Sequence, residues 1–392
     1  MTPPPQIMLS GHELGLRNPE MTLGEKLWQI NWSFVLLASM IATIGFAMLY
    51  SAAGGHLEPW ASRQMIRFGV GLVIMLGIAL TDVRIWFRYA YFLYFGAMGL
   101  LVAVEFLGAS GMGAQRWIDL KVIQLQPSEI MKVALVLALA RYFHGLTTEG
   151  IARPTYLLVP IFLTLAPAAL VLKQPDLGTA MMLLMVGTAV FFCAGVRLWK
   201  FAVVGFLGLS AIPVGWQFLR DYQQRRVLTF LNPESDPLGA GYHVLQSKIA
   251  LGSGGLFGKG FLQGSQSHLN FLPEKQTDFI FTMYAEEFGM IGALTLLGLY
   301  AVLFIYGTAI ALRARSVFAR LLAIGVSSNL FFYVFINVAM VMGILPVVGV
   351  PLPLVSYGGT ALLMVMAALG LMMSMYIHRD IRIPRRGLGD DG

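Results

Sequence analysis

Ten apolar runs of helix length follow one another along the 392 residues, at roughly 32–52, 65–81, 87–107, 127–145, 155–173, 176–195, 198–217, 283–311, 319–344 and 354–377. A helix needs about 20 apolar residues to cross a bilayer. Backbone in lipid must satisfy its own hydrogen bonds, so the choice lies between helices and a closed barrel. These runs do not alternate in the period of two that barrel strands show. The expected fold is therefore an all-α integral membrane protein with about ten transmembrane helices and one long external loop. Charged residues make up 12% of the chain, about half their share in soluble domains. The 283–311 and 319–344 runs exceed one crossing, which implies tilt or extension beyond the bilayer.

An even number of spans puts both termini on one side. Arg379, Arg382, Arg385 and Arg386 follow the last span, and Arg84, Arg153, Arg197, Arg313 and Arg315 fall in loops on that side. The positive-inside rule makes it cytoplasmic. Residues 1–31 are then a cytoplasmic tail, 32–377 the ten-helix domain, and 378–392 a second cytoplasmic tail. The expected location is the inner (cytoplasmic) membrane, multi-pass. No short apolar segment with a cleavage site occurs in 1–31, so the first span reads as an uncleaved anchor. The net charge of +7 fits this topology, and no basic-aromatic module points to nucleic acid. Cys193 is the only cysteine; it excludes an intrachain disulfide and reads as a packing residue.

This topology puts residues 218–277 outside, and four of the chain's 20 acids lie where that loop re-enters an apolar run: FLPEKQTDFIFTMYAEE, 271–287. Asp278 stands between a polar loop and Phe279-Ile280-Phe281. A carboxylate at such a boundary suits a general base. A helix N-cap at Thr277 or Asp278 is the alternative, and both can hold. Glu274 is a candidate ligand for substrate or cation. Glu286 and Glu287 point about 100° apart on a helix and cannot both face lipid, so they read as supports inside the bundle.

Three further clusters lie on the expected outer side. In GAQRWIDLKVIQLQPSEIMK (113–132), Arg116 can grip phosphate and Trp117 suits the membrane interface. Pro127 fits a first helical turn, and Glu129 and Lys132 are spaced to pair. In QPDLGT (174–179), after Lys173, Asp176 reads as a helix cap. Residues 241–251 read as an amphipathic surface helix ended by Gly252, with Gln246, Ser247 and Lys248 on its polar side. The GSGGLFGKG that follows is either an anion-binding run of backbone amides or a flexible turn. It is no nucleotide loop, since no strand precedes it.

An enzyme working outside has no ATP at hand, so its substrate must carry its own leaving group, such as a lipid diphosphate. That chemistry needs one base, Asp278, and cations to hold phosphate. Arg116, Lys132, Lys173, Arg225, Arg226 and Lys248 are available, with Mg²⁺ or Mn²⁺ as an optional divalent cation and no organic cofactor.

These stretches resemble the SEDS family (shape, elongation, division and sporulation) of peptidoglycan glycosyltransferases. The matching text is GAQRW (113–117), QPSE (126–129), QPDLGTA (174–180), DPLGAGYHVLQSKIALGSGG (236–255), FLPEKQTDFIF (271–281) and NVAMVMGILPVVGVPLPLVSYGGT (337–360). It spans nearly the whole chain, and its 236–281 portion is closer to the elongation branch than to the division branch. The resemblance implies ten helices, cytoplasmic termini and polymerisation of lipid II, the undecaprenyl-linked disaccharide-peptide, on the outer face of the membrane during cell elongation. It implies Asp278 as the essential base and undecaprenyl diphosphate as the leaving group. Arg116, Trp117, Glu129, Lys132, Lys173, Lys248 and Glu274 form the expected substrate and diphosphate set. Pro351, Pro353, Ser356, Gly358 and Gly359 form a structural turn. The implied partners are a class B penicillin-binding protein, which supplies transpeptidation, and the MreB-linked elongation machinery. Two positions depart from the family pattern: Asn270 stands where a Glu is usual, and Gln124 where a basic residue is usual, with Lys121 earlier. The rival readings are a lipid II flippase and a membrane scaffold for the penicillin-binding protein.

Overall fold

The computed structural model describes residues 21–111, 114–119, 124–218, 224, 228–230, 240–265 and 274–384. Each of the ten expected spans coincides with a helix: α1 (Trp32–Ala52), α2 (Ala61–Leu80), α3 (Val83–Leu107), α4 (Pro127–His144), α5 (Leu158–Lys173), α6 (Leu177–Cys193), α7 (Leu198–Phe218), α9 (Ile280–Arg313), α10 (Val317–Val341) and α11 (Gly359–Ile377). Between α7 and α9, helix α8 (Ala240–Ser253) is not a crossing. The chain is an all-α, multi-pass membrane protein. The one departure among the described residues is a small antiparallel sheet, β1 (Ala109–Gly111), β2 (Ala114–Asp119) and β3 (Gln124–Leu125), between α3 and α4. Asn270 and Lys121 lie outside the described residues, as do Arg225 and Arg226.

Helices α10 and α11 form the centre: 67% and 72% of their apolar windows are buried, against 22% for α2 and α9. The low values belong to helices whose apolar faces meet lipid, since burial inside protein and burial in hydrocarbon call for the same side chains. Helix α4 is covered on nearly every side by α3, α6 and α10. That enclosure is why it can carry Glu129 and Lys132 at membrane depth. Each must be paired there, because an ion alone in a low-dielectric core is costly. Pro127 sits at the first turn of α4, where its missing N–H costs nothing.

Helix α11 starts at Gly359, later than the 354 expected, because residues 351–358 form a turn instead. Helix α9 is two pieces divided at Gly289, whose backbone (φ 67, ψ −164) is not helical. The break is filled by the glycine-rich stretch before it. Lys259 and Gly260 donate their N–H groups to the carbonyls of Glu286 and Glu287, and Met290 and Ile291 donate back to Gly255 and Leu256. These amides are spent on a backbone seam, so the anion-binding reading of GSGGLFGKG is not what the structure shows. A Cβ on Gly258 would collide with the Glu287 carbonyl, and one on Gly289 with the Gly258 amide. Gly258→Ala is expected to lower stability by about 1–3 kcal/mol, from overpacking plus its left-handed φ. A thermal melt in detergent that matches wild type would refute the seam.

The seam also explains the acidic pair. Glu286 and Glu287 are 0% and 1% exposed. Lys259 Nζ lies 2.6 Å from Glu286 Oε1, which Ser265 also reaches. Glu287 accepts from Ser51 Oγ of α1 and from the Leu262 amide. In α8 the expected polar side is partly inverted. Ser247 is fully buried, shares a hydrogen bond with Thr282 of α9 and donates to the Val341 carbonyl of α10. Small hydroxyls can face a helix interface when a carbonyl receives them, a distinction that hydropathy does not make. The helix also continues one residue past Gly252.

Candidate active site

The site is built around the turn between α10 and α11. Phe279, Ile280 and Phe281 are buried at 3%, 0% and 3%. This wedge anchors the start of α9 and leaves Asp278 half-buried at its edge. Three donors then fix the main chain in front of it. Asn337 of α10 gives its amide to the carbonyls of Asp278 (3.0 Å) and Val350 (2.7 Å). Ser356 Oγ donates to the Thr277 carbonyl at 2.6 Å while accepting from the Leu352 amide at 2.7 Å. The Tyr357 amide donates to the Gln276 carbonyl at 2.8 Å. Residues 276–278 are thus held through backbone carbonyls. The Asp278 carboxylate lies over Gly349: a Cβ there would stand 3.3 Å from Oδ2.

Helix α9 starts without a bond from the side chain of its N-cap residue. Its N-cap is Phe279, and Thr277 Oγ1 turns back to Glu274, 3.1 Å from Oε2. Thr277 therefore does not supply the expected cap, because Glu274 in a left-handed conformation (φ 54) closes a local turn that takes up the Thr277 hydroxyl. That same turn occupies Glu274 Oε2, with Gln276 adding a bond at 3.4 Å. Lys275 is part-buried, and loss of hydration lowers its ammonium from the ordinary lysine value.

The other expected residues fall at different distances from this centre. Pro351, Pro353, Ser356, Gly358 and Gly359 belong to the central turn itself. Its inner side is tied down by Tyr300, which donates to the Pro353 carbonyl, and by Gln64, which donates to the Ser356 carbonyl at 2.9 Å. The start of α6 adjoins the same turn, since a Cβ on Gly178 would meet the Val348 carbonyl at 2.8 Å. Asp176 caps α6 through the Thr179 amide and hydroxyl. Arg116 of β2 closes over it, donating to the carbonyls of Gln174 and Pro175 with Asp176 Oδ2 at 4.0 Å. Trp117 is its neighbour in β2 and stands opposite Ala109 of β1. Lys248 is exposed and lies across Gly343, where a Cβ would stand 2.8 Å from Nζ. Lys173 is apart from the turn, paired with Glu105 at 2.9 Å. Gln124 meets the start of α11 through its backbone, accepting from Thr360.

Glu129 and Lys132 form a closed group. They stand 2.6 Å apart, and Tyr333 of α10 bonds to both. The three residues are 4%, 1% and 2% exposed. The structure gives these two charges to each other and to a phenol, whose Tyr333 ring also lines a small cavity beside Pro351, Pro353 and Ser356.

Sequence reasoning passed over Asn337, Tyr333 and Gly349. Asn337 and Tyr333 carried one usable signal: a polar side chain inside an apolar span must find a partner. Which partner it finds is settled by the fold.

With this geometry in view, comparison with known proteins decides the family. Residues 31–381 match the family of cell cycle proteins that takes in FtsW, RodA and SpoVE. The chain belongs to that family. It is 47% identical over 355 residues to the peptidoglycan glycosyltransferase MrdB of Escherichia coli K12, covering 88% of this chain and 93% of that one. Its fold is similar to a protein solved in a study of how a peptidoglycan synthase complex coordinates polymerization and crosslinking (TM-score 0.77, 34% identity, 90% of this chain and 98% of that one). It is also similar to the rod shape determining protein RodA of Thermus thermophilus (TM-score 0.67, 31% identity, 90% and 97%).

Proposed function

We propose that this family member is a peptidoglycan glycosyltransferase that polymerises lipid II on the outer face of the inner membrane during elongation. The observation that carries the reading is Asp278, anchored through backbone carbonyls with its carboxylate at the boundary of loop and wedge. In the proposed step the carboxylate takes the proton of the acceptor sugar's 4-hydroxyl. That oxygen bonds to C1 of the donor sugar as the C1–O bond to diphosphate breaks. Undecaprenyl diphosphate leaves with the electron pair, and C1 is inverted. Diphosphate is a stable anion, so one base suffices where glycosidases need two carboxyl groups.

Lys248, across Gly343 where the turn begins, Arg116 over the start of α6 and its β2 neighbour Trp117 are the proposed substrate contacts, with Glu274 shaping the loop. A Mg²⁺ or Mn²⁺ would be carried on the diphosphate oxygens, as Mg²⁺ commonly is, and no step above passes through it. The cytoplasmic termini follow from the charge pattern. For the partner, an apolar groove of about 340 Å³ runs between α9 and α10, lined by Leu297, Tyr300, Phe304, Phe331 and Phe335 among others. It suits the single span of a class B penicillin-binding protein; the MreB-linked elongation machinery completes the proposed set.

The test is the purified chain in liposomes with fluorescent lipid II, with and without the transpeptidase. Glycan strands are expected on a gel. Translocation of the lipid with no polymer would overturn this reading in favour of a flippase.

A further inference from the structure

Among the described residues, the cations Arg63, Arg116, Lys132, Lys173 and Lys259 each have a carboxylate within 4.0 Å. Arg67, in the second turn of α2, does not. Its guanidinium stacks on the Tyr357 ring, 4.7 Å from the centroid, and lies against the start of α11: a Cβ on Gly359 would stand 3.5 Å from its Cζ. Its Nη1 is buried with no hydrogen-bond partner among the described residues. The N-cap of α11, Gly358, offers no side-chain cap. A helix N-terminus carries positive partial charge, so a cation there is on the unfavourable end of the dipole. An arginine inside an apolar span, orphaned on one nitrogen and set against a positive helix end, leaves a place for an anion. Tyr357, which orients it, is the residue whose amide holds Gln276, two positions before Asp278.

We propose that Arg67, with the amino end of α11, binds a phosphate of the lipid-linked diphosphate, a role that rests on the glycosyltransferase reading of the same site. The planar fork matches phosphate oxygens, and the Tyr357 ring holds the fork in its plane. Arg67 acts on binding and leaves proton transfer to Asp278.

The experiment measures binding of undecaprenyl diphosphate, undecaprenol and inorganic pyrophosphate to the full chain in nanodiscs, in a background carrying Asp278→Asn so that no turnover is needed. Arg67→Gln is expected to weaken undecaprenyl diphosphate at least tenfold and leave undecaprenol unchanged. Arg67→Lys, which keeps the charge and loses the fork, is expected to weaken it about threefold, and stands in if the Gln variant does not fold. With Asp278 intact, Arg67→Gln is expected to raise the KM for lipid II by a similar factor with kcat within about twofold. Equal diphosphate affinity in wild type and the folded variants would overturn the proposal. So would displacement by inorganic pyrophosphate as effective as by the lipid form, which would assign the site to free phosphate. Failure of every protein to polymerise lipid II would sink the parent reading alone, since the binding arm decides Arg67 independently.

Discussion

Asp278→Asn is expected to abolish polymerisation of lipid II while leaving the protein folded and able to bind its substrate. Asn has the shape of Asp and keeps the backbone carbonyl that Asn337 holds at 3.0 Å. The ties from Ser356 and Tyr357 fall on neighbouring carbonyls and are untouched. What is lost is a group that can accept a proton. Removing a general base costs about 10²–10⁴ in rate, so the variant should fall to the assay floor in kcat. Its elution profile and melting temperature should stay close to wild type, and its affinity for lipid II within a few-fold. Polymerisation by folded variant protein at the wild-type rate would remove Asp278 from the mechanism.

Lys132→Met is expected to damage stability more than any other single change at the site's margin. Glu129 is 4% exposed and 2.6 Å from the Lys132 ammonium. Taking away the lysine strands a carboxylate in a dry bundle, and breaking a buried pair from one side costs about 3–5 kcal/mol. The melting temperature in detergent should drop by several degrees, with poor yield. The double variant Glu129→Gln, Lys132→Met should recover most of the loss, because no uncompensated charge remains and Tyr333 still has an amide oxygen to donate to. Polymerisation by the recovered double variant separates a structural triad from a substrate site, for which it would stay inactive however well it melted. A single variant as stable as wild type would show that the pair does not support the bundle.

Much of this fold was legible from hydropathy because each span solves a local problem. A backbone in hydrocarbon must close its own hydrogen bonds, and each apolar run does so alone. Pro127 at the start of α4 and Asp176 at the cap of α6 were equally local, readable from residue type and position. Thr277 shows the limit of that reading. Its sequence context suits a cap, yet the left-handed Glu274 closes a tighter turn first and takes its hydroxyl. Ser247 was misplaced for a related reason: hydropathy counts a hydroxyl as polar whether it meets water or a carbonyl of the neighbouring helix.

The sequence by itself marked the ten apolar runs that become helices and the acidic cluster at 271–287 with Asp278 in it, because an acid between a polar loop and an aromatic-aliphatic wedge is a local signal. Only the tertiary structure decided what surrounds it. Asn337 lies 59 residues from Asp278 and Ser356 lies 79 from Thr277. Arg67 reaches the same turn from the second span. Apolar helices have the same composition whether they face lipid or one another, so no pattern within a span says which neighbour its few polar side chains will meet.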